Sequence, residues 1–169
     1  KRRGDYAAAA EVYETVEEWE EAADAYEKAG MFGKAAGIVV KLGDATRALA
    51  LYEREGDYES AASLAAREGL RECAQRYYRL AAEKAQSQNR FQRAAEMYER
   101  AGNFERAGQL FEMTQKPEDA LRCYDRAGSA AAIVRLFKSI DTVQVARRSP
   151  EGADLVRRCA ETVAAQGMQ

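Results

Sequence analysis

The side chains in this 169-residue chain that could take a proton, hold a metal or attack a carbon form a short inventory. There is no histidine, so catalysis and metal ligation that rest on an imidazole are excluded. The three cysteines, Cys73, Cys123 and Cys159, are far apart and odd in number, and no two have zinc-site spacing. They read as reduced packing residues of a cytosolic protein. Carboxylates are plentiful, but the densest cluster, Glu17, Glu18, Glu20 and Glu21, falls where a helix makes its first turn, and acids there complement the helix dipole. Neither a GxxxxGK[ST] nor a GxGxxG phosphate loop occurs. The expectation is a chain with no catalytic residue, no cofactor and no metal site, hence no enzyme.

The remaining chemistry is charge. The net charge is −2, which gives no general pull toward nucleic acid. Its distribution is uneven. From Gly4 to Glu27 there are nine acids and no base, whereas residues 67–93 hold Arg67, Arg71, Arg76, Arg79, Lys84, Arg90 and Arg93 against Glu68, Glu72 and Glu83. Arg71, Arg76, Arg79, Lys84, Arg90 and Arg93 are the candidate partner-binding residues, suited to an acidic protein or peptide.

The elements that carry these charges follow a period of thirteen. In blocks beginning at Gly4, Glu17, Gly30, Gly43, Gly56, Gly69, Asn89, Gly102, Gln115 and Gly128, the register holds with one interruption. The sixth column is Ala9, Ala22, Ala35, Ala48, Ala61, Ala74, Ala94, Ala107 and Ala120, then Ile133. The tenth is aromatic at Tyr13, Tyr26, Tyr52, Tyr78, Tyr98, Phe111, Tyr124 and Phe137, and the third at Tyr6, Trp19, Phe32, Tyr58, Phe91 and Phe104. Apolar residues at columns three, six, seven and ten make one face of a helix.

A single rod through all the blocks would have no seam, because thirteen residues at about 100° each turn the face by roughly 220°. The chain must turn between blocks. Gly30, Gly43, Gly56, Gly69, Gly102 and Gly128 stand at left-handed C-terminal caps, followed by Asp5, Asp44, Asp57, Asn103 and Ser129 as N-caps. Helices of about ten residues are marginal alone and must stack. Alanine notches then let axes approach while column-ten rings fill the space, so the tyrosines and Trp19 are expected in the core. Acid–base pairs at columns eleven and twelve, Glu27-Lys28, Glu53-Arg54, Glu99-Arg100 and Asp125-Arg126, are expected on a solvated outer face.

The spacing of Phe91, Ala94, Tyr98 and Ala101, of Trp19, Ala22, Tyr26 and Ala29, and of Gly102, Phe104, Ala107 and Phe111 resembles the second helix of a tetratricopeptide (TPR) repeat. The resemblance covers about residues 4–140. It departs from that family in two ways: the block is shorter than half of a 34-residue TPR hairpin, and the Trp-Leu-Gly-Tyr pattern of a TPR first helix is missing. The chain is also similar to the short-helix α-solenoids of vesicle-coat and intraflagellar-transport proteins. Those families imply scaffolds and adaptors that bind other proteins, and they imply no catalytic residues.

Lys1-Arg2-Arg3, ahead of Gly4 and without an initiator Met, reads as the end of a preceding block, so the chain is expected to be a piece of a longer repeat protein. The interruption adds seven residues, Ala82 to Gln88. Seven residues make two helical turns to within about 20°, so they extend one helix, near residues 70–87, and keep Tyr77, Tyr78, Ala81 and Ala85 on its stripe. Near the end, Asp141 caps a short helix to Arg148. Ser149-Pro150-Glu151 then opens a last helix to about Ala165, with Leu155, Val156, Cys159, Ala160 and Val163 on its apolar face.

The fold expected is therefore all-α, a right-handed α-solenoid of ten short antiparallel helices over residues 1–140, closed by a helical cap at 141–169. No apolar run is long enough to span a membrane, and Lys1 to Asp5 is no signal peptide, which points to a soluble, cytoplasmic chain without membrane insertion. The function expected is a protein–protein interaction scaffold or adaptor. The alternatives are nucleic-acid binding through residues 67–93, and a regulatory or self-assembly domain attached to an enzyme elsewhere in a full-length protein.

Overall fold

Twelve helices, and no strand, make up the regular structure among the described residues, 2–167 of the computed structural model. They are α1 (Arg2–Thr15), α2 (Trp19–Ala29), α3 (Phe32–Leu42), α4 (Ala45–Glu55), α5 (Tyr58–Arg67), α6 (Arg71–Ser87), α7 (Phe91–Arg100), α8 (Phe104–Met113), α9 (Pro117–Ala127), α10 (Ala130–Phe137), α11 (Thr142–Arg148) and α12 (Pro150–Gly167). The first ten are the ten sequence blocks. α6 absorbs the seven-residue addition as one continuous helix, with Ala74, Tyr77, Ala81, Ala82 and Ala85 buried along it. None of these helices is long and apolar enough to cross a membrane.

The chain forms two compact units, Lys1–Ala81 and Ala82–Gln169, the limit falling within α6. In the first, α1 packs on α2, α2 on α3, α3 on α4 and α4 on α5. In the second, α7 packs on α8, α8 on α9 and α9 on α10, and α12 lies against α11, α10 and α9. Within these runs each helix packs on the next along the sequence, the arrangement of a helical repeat. The closing segment covers the last helices, as its apolar face requires.

The corners follow the sequence rule. Gly30, Gly43, Gly56, Gly69, Gly102 and Gly128 all have φ between +69° and +86°. At a representative corner, the Gly102 N–H donates to the Glu99 carbonyl at 3.0 Å and the Asn103 N–H to the Tyr98 carbonyl at 2.9 Å. This bond pair satisfies carbonyls that a helix end leaves open. The next helix starts at once.

The N-caps hold only in part. Asp44 accepts from the Arg47 N–H at 2.9 Å and Asp57 from the Ser60 N–H at 3.1 Å. Asn103 makes no capping side-chain bond, and Ser129 spends its hydroxyl on Glu105 of α8. Asp5 is no cap, because α1 runs from Arg2 straight through Gly4. The run of four alanines at 7–10, the best helix formers, favours that continuation. Of the Lys1-Arg2-Arg3 end, Lys1 lies outside the described residues.

The core is wider than one stripe. Columns six and seven are buried in most blocks, and column ten in six of ten, with Tyr26, Tyr98 and Tyr124 almost fully enclosed and Tyr13, Tyr52, Tyr78 and Phe137 half-buried. Column nine is buried as well, through Ala25, Ile38, Leu51, Leu64, Tyr77, Met97, Leu110, Cys123 and Leu136. The column-three rings Trp19, Phe32, Tyr58, Phe91 and Phe104 each begin a helix and are half-buried. Packing is close between α8 and α9, where a Cβ on Gly108 would stand 2.7 Å from the Tyr124 ring. In α12, Leu155 and Cys159 are buried, but Ala160 is exposed, a correction to the face expected there.

Candidate functional site

Which polar side chains are available to a partner depends on which ones the repeat already uses. The column-eleven acids, expected on a solvated face, are instead internal acceptors. The column-ten Tyr26 hydroxyl donates to Glu14 of the preceding helix at 3.0 Å, the Tyr124 hydroxyl to Glu112 at 2.6 Å, and the Tyr98 hydroxyl to Gln86 at 3.4 Å. In each case the acceptor lies twelve residues earlier. Burial, then the Glu14 carboxylate, pushes the Tyr26 phenol up to about 12. The same two causes, with Glu112 as acceptor, raise that of Tyr124.

Column-eleven acids of α2, α4, α7 and α8 also pair with bases of the second helix after each. Glu99 of α7 meets Arg122 of α9 at 3.2 Å and Arg126 at 3.3 Å, and Glu112 of α8 meets Arg135 of α10 at 2.6 Å. In the first unit Arg47 of α4 sits among Glu20, Asp24 and Glu27 of α2. These acceptors, led by Glu27, raise its pKa and hold the guanidinium charged. Column-twelve bases fold back over the column-three rings of the preceding helix: Lys41 over Trp19 at 5.4 Å, Arg54 over Phe32 at 4.0 Å and Arg126 over Phe104 at 4.1 Å. The last turn of one helix thus stands beside the first turn of its neighbour, as antiparallel packing demands.

The six basic candidates fall into two groups. Arg71, Arg76 and Arg79 belong to the first unit, and Lys84, Arg90 and Arg93 to the second. All six are exposed. Arg76 lies over the Tyr77 ring at 4.7 Å and reaches Glu53 at 3.5 Å, which also accepts from the Tyr77 hydroxyl at 2.8 Å. Arg76 is thus partly committed to an intramolecular pair at the surface. At about 100° per residue, Glu72 and Glu83 point between Arg79 and Arg76 around α6, so the exposed face of that helix is mixed in sign. Lys84 stands in its last turn, where a cation complements the dipole.

Arg90 precedes α7 and bonds Gln88, and Arg93 pairs with Glu96 at 3.1 Å. Both line an open cleft of about 560 Å³ with Phe91 and Thr114. Two of the basic candidates of the second unit thus share one depression. A second cleft, of about 480 Å³, lies between the start of α9 and the start of α11 and is lined by Lys116, Glu118, Asp119, Asp141 and Arg148. Some of these groups are already engaged, because Arg148 pairs with Glu118 and Asp141 accepts from the Gln144 N–H at 3.0 Å.

The thiols sit in packing positions. Cys123 and Cys159 are buried, and burial pushes their pKa up to about 12 and about 11, so both stay protonated near neutrality. Cys73 is half-buried. Among the described residues no three Cys, Asp or Glu converge as metal ligands. The chain matches no family model, and no curated protein matches it significantly.

Proposed function

We propose that the chain is a protein-recognition scaffold built as a TPR-like helical repeat. The observation that carries this reading is the division of labour among the columns. Columns six, seven and nine are apolar in nearly every block, and columns three, ten and eleven hold a ring, a ring and an acid in most, which makes the frame of each unit. The mostly exposed column eight does not recur: it runs Glu11, Asp24, Gly37, Ala50, Ser63, Arg76, Glu96, Gln109, Arg122, Arg135. A repeated frame with an unrepeated surface supports a module whose surface is written for partners.

An acidic partner is the one to seek at Arg71 and Arg79 in the first unit and around Arg90 and Arg93 in the second. Nucleic-acid recognition requires a contiguous positive face, and the acids interleaved on α6 do not favour it. The test is affinity capture with the intact protein, read by mass spectrometry, beside an Arg71→Glu/Arg79→Glu variant. A defined set of proteins retained by the wild type and weakened in the variant is expected. Retention of nothing beyond a matched control protein would overturn the scaffold reading.

A further inference from the structure

Among the chain's hydroxyls, Ser149 stands apart. It follows Arg147 and Arg148 and precedes Pro150, and no other serine or threonine of the chain stands before a proline. It joins α11 to α12 in an extended backbone, with φ −159° and ψ 159°. Arg147, Arg148, Pro150 and Glu151 are exposed, and Ser149 is partly so. The hydroxyls of Ser63, Ser87, Thr114 and Thr162 instead donate to carbonyls of the helical turn before them, and those of Ser60 and Ser129 bond the carboxylates of Asp57 and Glu105.

A kinase takes its serine from an extended segment, so a site in a folded protein needs a stretch that opens at low cost. The joint is such a stretch. α11 has seven residues, short of the length that holds a helix by itself. The N–H groups of a first helical turn have no partner within the helix. In α12 Pro150 has none to satisfy, and that of Gly152 is held by the Ser149 hydroxyl oxygen at 3.0 Å. The joint also favours an anion, because two arginines precede the N-terminus of an 18-residue helix. Glu151 shows the effect: its own backbone N–H, and then the Ser149 hydroxyl, lower its pKa.

We propose that Ser149 is a phosphorylation site for a serine/threonine kinase that selects proline after the serine, and that the phosphate is clasped by Arg147 and Arg148. The Ser149 oxygen attacks the γ-phosphorus of ATP, its proton passes to the kinase's catalytic base, and ADP leaves with the bridging oxygen. About two negative charges then stand at the start of α12, where the helix dipole and the adjacent guanidiniums complement them. Arg148 otherwise pairs with Glu118 of α9, so the phosphate competes for it and releases Glu118 into the cleft between α9 and α11. This inference concerns regulation and does not depend on the protein-recognition reading.

The test incubates the 169-residue chain, and separately a synthetic peptide of residues 144–154, with a proline-directed serine/threonine kinase and Mg·ATP. Mass spectrometry with fragmentation locates the phosphate. Ser149 should be the principal site in both, and Pro150→Ala should slow its labelling about tenfold or more. In the phosphorylated chain the amide resonances of residues 116–119 should move, and Arg148→Gln should abolish that movement. Pro150 is exposed, so its variant should keep the wild-type circular dichroism.

Labelling of the peptide but not of the chain would overturn the proposal, since the fold would then shield the serine. Failure of both, or a principal site elsewhere in the chain, would overturn it too. Unslowed labelling of Pro150→Ala would refute the kinase class, and a phosphorylated Ser149 that leaves residues 116–119 unmoved would refute the arginine clasp.

Discussion

Three corners of the repeat force a side chain into a backbone conformation that the other corners leave to glycine. Glu17, Asn89 and Gln115 have φ of 61°, 58° and 59°, at the column where six other corners carry glycine. Their bonds are those of the glycine corners: the Lys116 N–H donates to the Phe111 carbonyl at 2.8 Å and the Gln115 N–H to the Glu112 carbonyl at 3.0 Å. The geometry is imposed by the repeat, and the side chain must tolerate it. A Cβ in the left-handed region costs about 1–2 kcal/mol, and asparagine bears it best. Glu17→Gly and Gln115→Gly should therefore each stabilise the protein by about 1 kcal/mol, part of the gain being offset by the greater freedom of glycine in the unfolded chain. Asn89→Gly should gain less. Urea titrations of the three variants check the order, and a loss of stability at Glu17 or Gln115 would mean that the corner is not strained.

At the scale of the helix, the tyrosine ladder sets a graded test. Replacing a tyrosine by phenylalanine removes one hydroxyl and leaves the ring, so the cost follows the bond that is lost. Tyr26→Phe and Tyr124→Phe each remove a hydrogen bond to a carboxylate and should cost about 1–2 kcal/mol. Tyr98→Phe, whose bond to Gln86 spans 3.4 Å and meets a neutral amide, should cost less, and equal losses at all three would deny the ladder its energetic role. The ladder also marks the limit of what was legible in the sequence. Helix positions, glycine corners and the lengthened α6 could be read because glycine, alanine and tyrosine recur as letters at a fixed period, and the α11–α12 closure because Asp141 and Ser149-Pro150 mark helix starts. Column nine escaped because its residues, from Ala25 and Cys123 to Tyr77 and Met97, share apolarity but no size or shape. A helix covered on two flanks also buries a wider arc than a single stripe suggests. The acids of column eleven were read from their neighbours in sequence, and their partners lie twelve or twenty-three residues away. The basic candidates were grouped by their closeness in the chain, which could not show that acids share their helix face or that the group straddles two units.

For the molecule as a whole, the distribution of buried titratable groups determines how stability responds to pH. With no histidine, no side chain of ordinary pKa changes charge between about pH 6 and 8, so stability should be flat there. The buried thiols and phenols act at higher pH. Cys123 and Cys159 are raised from 9.0 to about 12 and about 11, and Tyr26 from 10.0 to about 12, in each case chiefly because burial disfavours the anion. A pKa higher in the folded state means that the unfolded chain releases its proton first as pH rises. The stabilising contribution is therefore complete below about pH 9 and is lost as pH climbs toward 12. Both strongly shifted thiols lie in Ala82–Gln169, and Tyr26 lies in Lys1–Ala81. The second unit should thus begin to weaken from about pH 9 and the first from about pH 10. Urea denaturation at steps from pH 7 to 11 should show this fall, and a Cys123→Ala/Cys159→Ala variant, less stable at neutrality, should show a shallower fall above pH 9. An equally steep fall in that variant would place the alkaline sensitivity elsewhere, in the phenols of both units.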